Sequence, residues 1–195
     1  MSSPPETSPQ GSTFVYKVVI IGEGSVGKTN LRRKYMGEGF LAEYLNTVGA
    51  DFAYFSDKVG DDLYKWSIWD LAGQPKFSNV RPVFYAGAFG TLLCFDVTRY
   101  ETFQKLDAWV DELERHTHTE GTPIVIVACK MDLYDEEQHI SFDEVEAYQK
   151  KLEERFDGRF GVTFVKTSAL TGMNVQKAFD NLRVAIRDWQ ERENI

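Results

Sequence analysis

Gly22-Glu23-Gly24-Ser25-Val26-Gly27-Lys28-Thr29 fits the pattern GxxxxGK[ST] with every fixed position filled. In front of it, Phe14, Val15, Tyr16, Val18, Val19, Ile20 and Ile21 form an apolar run that predicts a strand buried on both faces. Behind it, Thr29 to Met36 predicts the start of a helix. Strand, glycine turn and helix are the setting in which such a segment cradles phosphate. Glycines let backbone N–H groups curl inward around phosphate oxygens, and the helix N-terminus adds partial positive charge. Lys28 would then reach the terminal phosphates of the ligand, and the Thr29 hydroxyl would bind a magnesium ion.

Working outward, the sequence predicts a loop from about Gly37 to Val48, then strands over Ala50 to Lys58 and Leu63 to Asp70 joined by the polar turn Val59-Gly60-Asp61-Asp62. Strand and helix patterns alternate beyond this hairpin: strand Thr91 to Phe95, helix Glu101 to Arg115, strand Pro123 to Cys129, helix Phe142 to Phe156, strand Val162 to Val165. A last helix carries Val175, Phe179, Leu182, Ile186 and Trp189 at helical spacing behind an Asn174 cap, and that stripe reads as core packing. Such alternation implies an α/β fold of the P-loop type, a three-layer sandwich. Its six-stranded sheet is mostly parallel with one antiparallel edge strand, and helices cover both faces. Ligands of this architecture sit at the carboxyl ends of the strands, where Gly22 to Lys28, Asp70 to Gln74, Cys129 to Asp132 and Thr167 to Leu170 all fall.

With 195 residues and 43 % apolar content, the chain has room for one domain with a substantial core. Residues 1–13 are rich in Ser, Pro and Thr and are expected to be a disordered tail, leaving residues 14–195 as the domain. The tail lacks the apolar centre of a signal peptide. Thirty acidic against 22 basic residues give a formal charge of −8, which argues against nucleic acid or anionic lipid as a main partner. An anionic ligand must therefore be held by local features.

Cys94 and Cys129 lie in apolar runs without metal-ligand spacing, which suits a reduced, cytoplasmic protein; a single disulfide stays open at this point. No apolar run is long enough for a membrane span, and the longest, around Phe89 to Val97, is interrupted by Asp96. No cysteine follows Cys129, and Ser2 stands where myristoylation needs Gly, so no direct lipid anchor is expected and any membrane association would come through partners.

Trp69-Asp70-Leu71-Ala72-Gly73-Gln74 ends a predicted strand with a carboxylate, then a glycine and an amide. Together with the opening motif this resembles the Ras-like small GTPases, whose members carry a DxAGQ segment here. The resemblance runs from about Val15 to Trp189 with four motifs in family order. It implies a switch that binds GTP or GDP with Mg2+ and slowly hydrolyses GTP. Asp70 would hold magnesium through water, the Gly73 N–H would bond the terminal phosphate, and Gln74 would orient the attacking water. Thr47, within Asn46-Thr47-Val48-Gly49, matches the threonine that closes over magnesium and the terminal phosphate, and Phe40 matches the aromatic packed against the base. The implied catalytic set is thus Gln74, Lys28, Thr47 and Gly73, and the implied metal set Thr29, Thr47 and Asp70. The whole stretch Gly22, Glu23, Gly24, Ser25, Val26, Gly27, Lys28, Thr29 and Asn30 would line the phosphates.

Base specificity would rest on Cys129-Lys130-Met131-Asp132, where the family form is NKxD, and on Thr167-Ser168-Ala169-Leu170. A carboxylate at Asp132 can accept from guanine N1–H and the 2-amino group, which adenine cannot offer. The Lys130 stem would cover the base and the Ala169 N–H would meet the guanine carbonyl, with Ser168, Leu170 and Leu133 alongside. Two departures stand out. Cys129 replaces the usual Asn, which predicts weakened but still guanine-selective binding. Pro75 follows Gln74, biasing it away from helical backbone and removing one N–H.

Relatives among the heterotrimeric alpha subunits supply an arginine in cis three residues before the switch threonine; this chain has Tyr44 there, counted with the nucleotide-binding set. The expectation is a monomer that depends on an activating protein's arginine, an exchange factor and effectors, with Phe52, Trp66, Phe77 and Tyr85 as apolar candidates near the switches. The Trp-Asp segment leans toward Rab-like or Arf-like branches, while Ala72-Gly73 departs from the Arf-like double glycine. A guanine-nucleotide-bound scaffold with negligible hydrolysis is the alternative, motivated by Cys129 and Pro75.

Overall fold

The structure, a computed structural model, describes residues 11–40, 47–119, 121–136 and 140–195. Its strands are β1 (Thr13–Ile21), β2 (Ala50–Val59), β3 (Asp62–Leu71), β4 (Gly90–Asp96), β5 (Ile124–Cys129) and β6 (Val162–Lys166). Its helices are α1 (Lys28–Tyr35), α2 (Pro82–Tyr85), α3 (Tyr100–Gln104), α4 (Leu106–His116), α5 (Phe142–Arg155) and α6 (Val175–Glu193), with short 3₁₀ turns at Pro75–Phe77 and Met131–Leu133. The strands form one sheet of order β2-β3-β1-β4-β5-β6 in which only β2, at the edge, runs antiparallel to its neighbour. The two-residue hairpin loop Gly60-Asp61 bears a left-handed glycine, Gly60 at φ 61°, as tight hairpins require.

Two cores lie on the two faces of the sheet. Leu31 and Tyr35 of α1 and Val175, Phe179, Leu182 and Ile186 of α6 pack with Val18, Ile20, Trp66 and Ile68. On the other face Leu106, Trp109, Val110 and Leu113 of α4 and Val145 and Leu152 of α5 meet Val19, Ile21, Leu93, Phe95 and Ile126. The stripe expected on the last helix is therefore core, Trp189 included. Among the described residues no helix is long and apolar enough to cross a membrane.

Several expectations need correction. β1 is buried on both faces only from Val18, because its pairing with β4 begins there; before that point Val15 stands exposed. The single helix expected over Glu101 to Arg115 is two. Thr102 ties α3 to the end of β4, accepting from the Asp96 N–H at 3.0 Å and donating to the Arg99 carbonyl at 2.7 Å, while the apolar stripe of α4 must face the sheet. These constraints meet at Lys105, whose φ of −87° and ψ of 0° separate the helices. Asn174 precedes α6 but does not cap it: its backbone is left-handed and its amide donates to the Lys166 carbonyl at 2.9 Å.

The segment after Gln74 holds a 3₁₀ turn and α2, each beginning with the proline that suits a first helical position. Trp66 and Tyr85 are core residues, Phe77 is half-buried and Phe52 is exposed. Residues 1–10 of the expected tail and Tyr44 with its neighbours 41–46 lie outside the described residues. Ser12 already belongs to the sheet margin, its N–H donating to Asp62 Oδ1 at 2.8 Å.

Candidate functional site

The glycine segment leaves β1 and turns into α1 at the carboxyl end of the sheet, with Gly22 at φ 135°, Ser25 at 66° and Gly27 at 115°. A Cβ on Gly22 would overlap the Cys94 carbonyl, so the loop can lie this close to β4 only with glycine there. No side chain caps α1, and its first turn holds no acidic residue, which leaves its N-terminal amides suited to an anion. Val26 packs in the core beneath the loop. Lys28, buried, donates to the carbonyls of Gly22 at 2.7 Å and Glu23 at 2.8 Å. Burial lowers its pKa, a tendency that the Asp70 charge opposes.

Three oxygens converge beside Lys28. Thr29 Oγ1 donates to Asp70 Oδ2 and lies 3.2 Å from Thr47 Oγ1. Asp70 is wholly buried; burial raises its pKa, while Lys28, the Thr29 hydrogen bond and Arg32 pull it down. Its second oxygen, Oδ1, is buried without a hydrogen-bond partner among the described residues. An all-oxygen set of two hydroxyls and a carboxylate with spare acceptor capacity fits the hard, oxygen-seeking magnesium ion.

The strand carrying Asp70 runs into Gly73, which lies so tightly on the glycine segment that a Cβ would overlap Glu23 and the Gly24 nitrogen. Gln74 follows in extended backbone at φ −75° and ψ 139°, as expected before Pro75, and its Cγ lies 3.7 Å from where a Gly24 Cβ would be.

On the far side, a cavity of about 220 Å³ is lined by Gly27, Asn30, Leu31, Phe40, Cys129, Lys130, Asp132, Leu133, Thr167, Ala169 and Leu170. It collects the residues expected around the base. Asp132 Oδ1 accepts from the Ser168 hydroxyl, which also accepts from the Thr171 N–H at 3.1 Å. Lys130 has left-handed backbone at φ 66°, and its Nζ pairs with Asp96 at 2.6 Å, which spans its stem along the cavity wall. Cys129 is buried beside Gly27, its thiol 3.8 Å from the Val127 carbonyl; Cys94 and Cys129 are both free thiols. Burial pushes the Cys94 thiol well up, so it stays protonated.

Sequence reading missed the supports. Asp96, the carboxylate that interrupts the apolar β4 run, pairs with Lys130 and with Arg99 Nε at 3.0 Å; burial works to raise its pKa, but the bonds from Lys130 and Thr98 hold it below the usual range. Arg99 Nη2 in turn donates to the Gly24 carbonyl at 2.8 Å. Glu23 is held by Lys105 at 2.9 Å and by the Trp109 indole at 3.3 Å. Arg81 donates to the Ala72 and Gln74 carbonyls at 3.3 and 3.2 Å. Only the charge at the end of a buried strand could have signalled any of these in advance.

A phosphate cradle at the switch of a parallel sheet, joined to a base-sized cavity with a carboxylate at its rim, defines a P-loop nucleotide-binding protein. The Ras family matches residues 17–188 of this chain, and the chain belongs to it. It is similar to the Ras-related proteins RABA1g of Arabidopsis thaliana (37 % identical over 166 residues, 85 % of this chain and 72 % of the relative), YPTC6 of Chlamydomonas reinhardtii (35 % over 173 residues, 89 % and 76 %) and Rab11B of Nicotiana tabacum (34 % over 173 residues, 89 % and 75 %). These relatives put it on the Rab-like side of the family. It is a small GTPase switch that binds GTP and GDP with Mg2+, hydrolyses GTP and works with regulators and effectors.

Proposed function

We propose that the residues gathered at the carboxyl end of the sheet divide the work of this GTPase as follows. Backbone amides of Gly24 to Thr29 hold the phosphates, and Lys28 leaves the Gly22 and Glu23 carbonyls to meet the terminal ones. Thr29, Thr47 and Asp70 hold magnesium, which neutralises phosphate charge. Gln74 orients the attacking water and the Gly73 N–H bonds the terminal phosphate. Asp132 accepts from guanine N1–H and the 2-amino group, Lys130 and Phe40 cover the base, and Ala169 meets its carbonyl. Asn30, Leu133, Ser168 and Leu170 shape the surroundings, and Tyr44 is counted with the nucleotide-binding set.

The observation that carries this reading is Gly73 seated on the glycine segment while Thr29, Thr47 and Asp70 converge. One ligand group can there touch both loops, and losing it on hydrolysis frees both. Partners would read the difference on the strip formed by Phe52, Trp69 and Phe84, whose ring centroids are 5.0 and 5.3 Å apart. The protein acts as a cytoplasmic monomer whose activator supplies the arginine that this chain lacks at Tyr44. Unaided turnover is then about 10⁻⁴ to 10⁻³ s⁻¹, the range of Ras itself.

Single-turnover phosphate release tests the assignment of Gln74. Gln74→Leu is expected to slow it on the order of 10- to 100-fold, because mispositioning the water forfeits orientation. Equal rates in wild type and variant would favour the scaffold alternative and remove Gln74 from the mechanism.

Cys129 allows a finer check. An Asn amide there would restore one hydrogen bond to the surrounding loops, worth about 0.5 to 1.5 kcal/mol. Cys129→Asn should therefore slow GDP dissociation from a few-fold to about tenfold. An unchanged or faster rate would show that the thiol beside Gly27 costs the site nothing.

A further inference from the structure

One turn beyond Thr29, α1 presents Arg32 to the β2–β3 hairpin. Its side chain is 7 % exposed, and its Nη2 pairs with Asp51 Oδ2 at 2.5 Å, the Asp51 side chain being 56 % exposed. Asp51 and Asp70 are register partners across β2 and β3, so two carboxylates stand opposite each other on one face, an arrangement that repels unless a cation compensates. Arg32 is the cation the two share: it pairs directly with Asp51, and its charge bears on Asp70 as well, where it adds to the larger influence of Lys28. Among the described residues, Arg32 Nε and Asp70 Oδ1 are both buried without hydrogen-bond partners, so the guanidinium is not saturated by Asp51 and the carboxylate is not saturated by Thr29.

We propose that Arg32 is a resident countercharge of the magnesium site, which weakens the hold on the metal and so sets the metal concentration at which nucleotide is released. The inference rests on the assignment of Thr29, Thr47 and Asp70 as the groups that hold the ion. Of these only Asp70 is charged. A fixed guanidinium within reach of that carboxylate repels an incoming divalent cation. When the cation leaves, the same guanidinium still compensates Asp70, so the metal-free state is penalised less. Both effects act in one direction. Asp51 acts oppositely, since it neutralises Arg32 and adds negative charge of its own.

The test uses the full chain loaded with a fluorescent GDP analogue, whose dissociation rate is followed against free Mg2+; the midpoint of that curve reports metal affinity without any turnover. Arg32→Leu is expected to move the midpoint roughly tenfold lower, and Arg32→Lys, which keeps the charge, to stay close to wild type. Asp51→Asn is expected to move it higher, and the double variant to return toward wild type. An Arg32→Leu midpoint equal to or above wild type, or an Asp51→Asn shift to lower Mg2+, overturns the proposal. Should Arg32→Leu not fold, Asp51→Asn at its half-exposed position carries the same test with the opposite sign. Asp70→Asn serves as the reference: an unmoved midpoint there would bring down the assignment of the metal ligands instead of the role of Arg32.

Discussion

Asp132→Ala should remove most of the discrimination between GTP and ATP, up to about four orders of magnitude, the scale by which a site built to hydrogen-bond a ligand group rejects an analogue lacking it. The rest of the base cavity cannot compensate. Gly27, Leu31, Phe40 and Leu170 offer apolar or backbone surface that any purine can meet, Lys130 is spoken for by Asp96 at its far end, and only the Ala169 N–H would still tell the guanine carbonyl from adenine. Asp132 is the carboxylate at the rim of that cavity, and the Ser168 hydroxyl fixes one of its oxygens, which aims the other. Competition titrations with GTP, GDP and ATP measure the effect directly. Ser168→Ala should fall between wild type and Asp132→Ala, because it frees the carboxylate to rotate without removing it. Retention of wild-type selectivity in Asp132→Ala would mean that the guanine edge is read elsewhere.

Much of this was legible because its signals are local. GxxxxGK[ST] after an apolar run names its own backbone geometry, and Gly22 and Gly27 take the left-handed angles that geometry needs. Alternation of strand and helix patterns constrains the topology to a right-handed parallel sheet, and β2 at the antiparallel edge follows from a two-residue hairpin loop. The break at Lys105 was not legible, since it arises from Thr102 bonding back to the end of β4 while α4 packs on the sheet. Nor could periodicity separate Trp66 from Trp69: in a strand of alternating faces both are spaced as inward residues of one sheet side or the other, and only the helices covering one side decide. The polar supports of the site were the least visible. Arg99 with Gly24, Trp109 with Glu23 and Arg81 with Gln74 join residues far apart in the chain, and no spacing rule announces such pairs.

Pro75 and Arg81 together bear on how the segment after Asp70 behaves. The proline fixes Gln74 in extended backbone, and the guanidinium of Arg81 ties the carbonyls on either side of Gly73. A segment held from both ends loses less order when the terminal phosphate departs than a free loop would. The difference between the two nucleotide states is then concentrated in what Gly73 and Thr47 touch.

Glu112→Ala should destabilise the fold by about 3 to 5 kcal/mol, seen as a loss of about 6 to 20 °C in melting temperature for a domain of this size. Arg81 and Glu112 form a two-pronged pair, Nε to Oε1 at 2.7 Å and Nη2 to Oε2 at 2.6 Å, with side chains only 6 % and 15 % exposed. Burial alone would lower the Arg81 pKa, but the Glu112 hydrogen bonds and charge raise it, so the guanidinium stays ionised. Removing the carboxylate strands that charge against the Trp109 ring, 4.4 Å away, and leaves the buried Tyr85 hydroxyl without its acceptor at 3.0 Å. Glu112→Gln, which keeps the shape and one acceptor, should lose less.

Replacing both partners, Arg81→Met with Glu112→Leu, should recover much of the stability, because an apolar pair avoids the desolvation cost that the ions carry. It should not restore the bonds to the Ala72 and Gln74 carbonyls. Amide exchange across residues 74–81 should therefore stay fast in the double variant although its melting temperature recovers. Slow exchange there would show that the proline and the surrounding packing order this segment without the guanidinium, and that Arg81 serves stability alone.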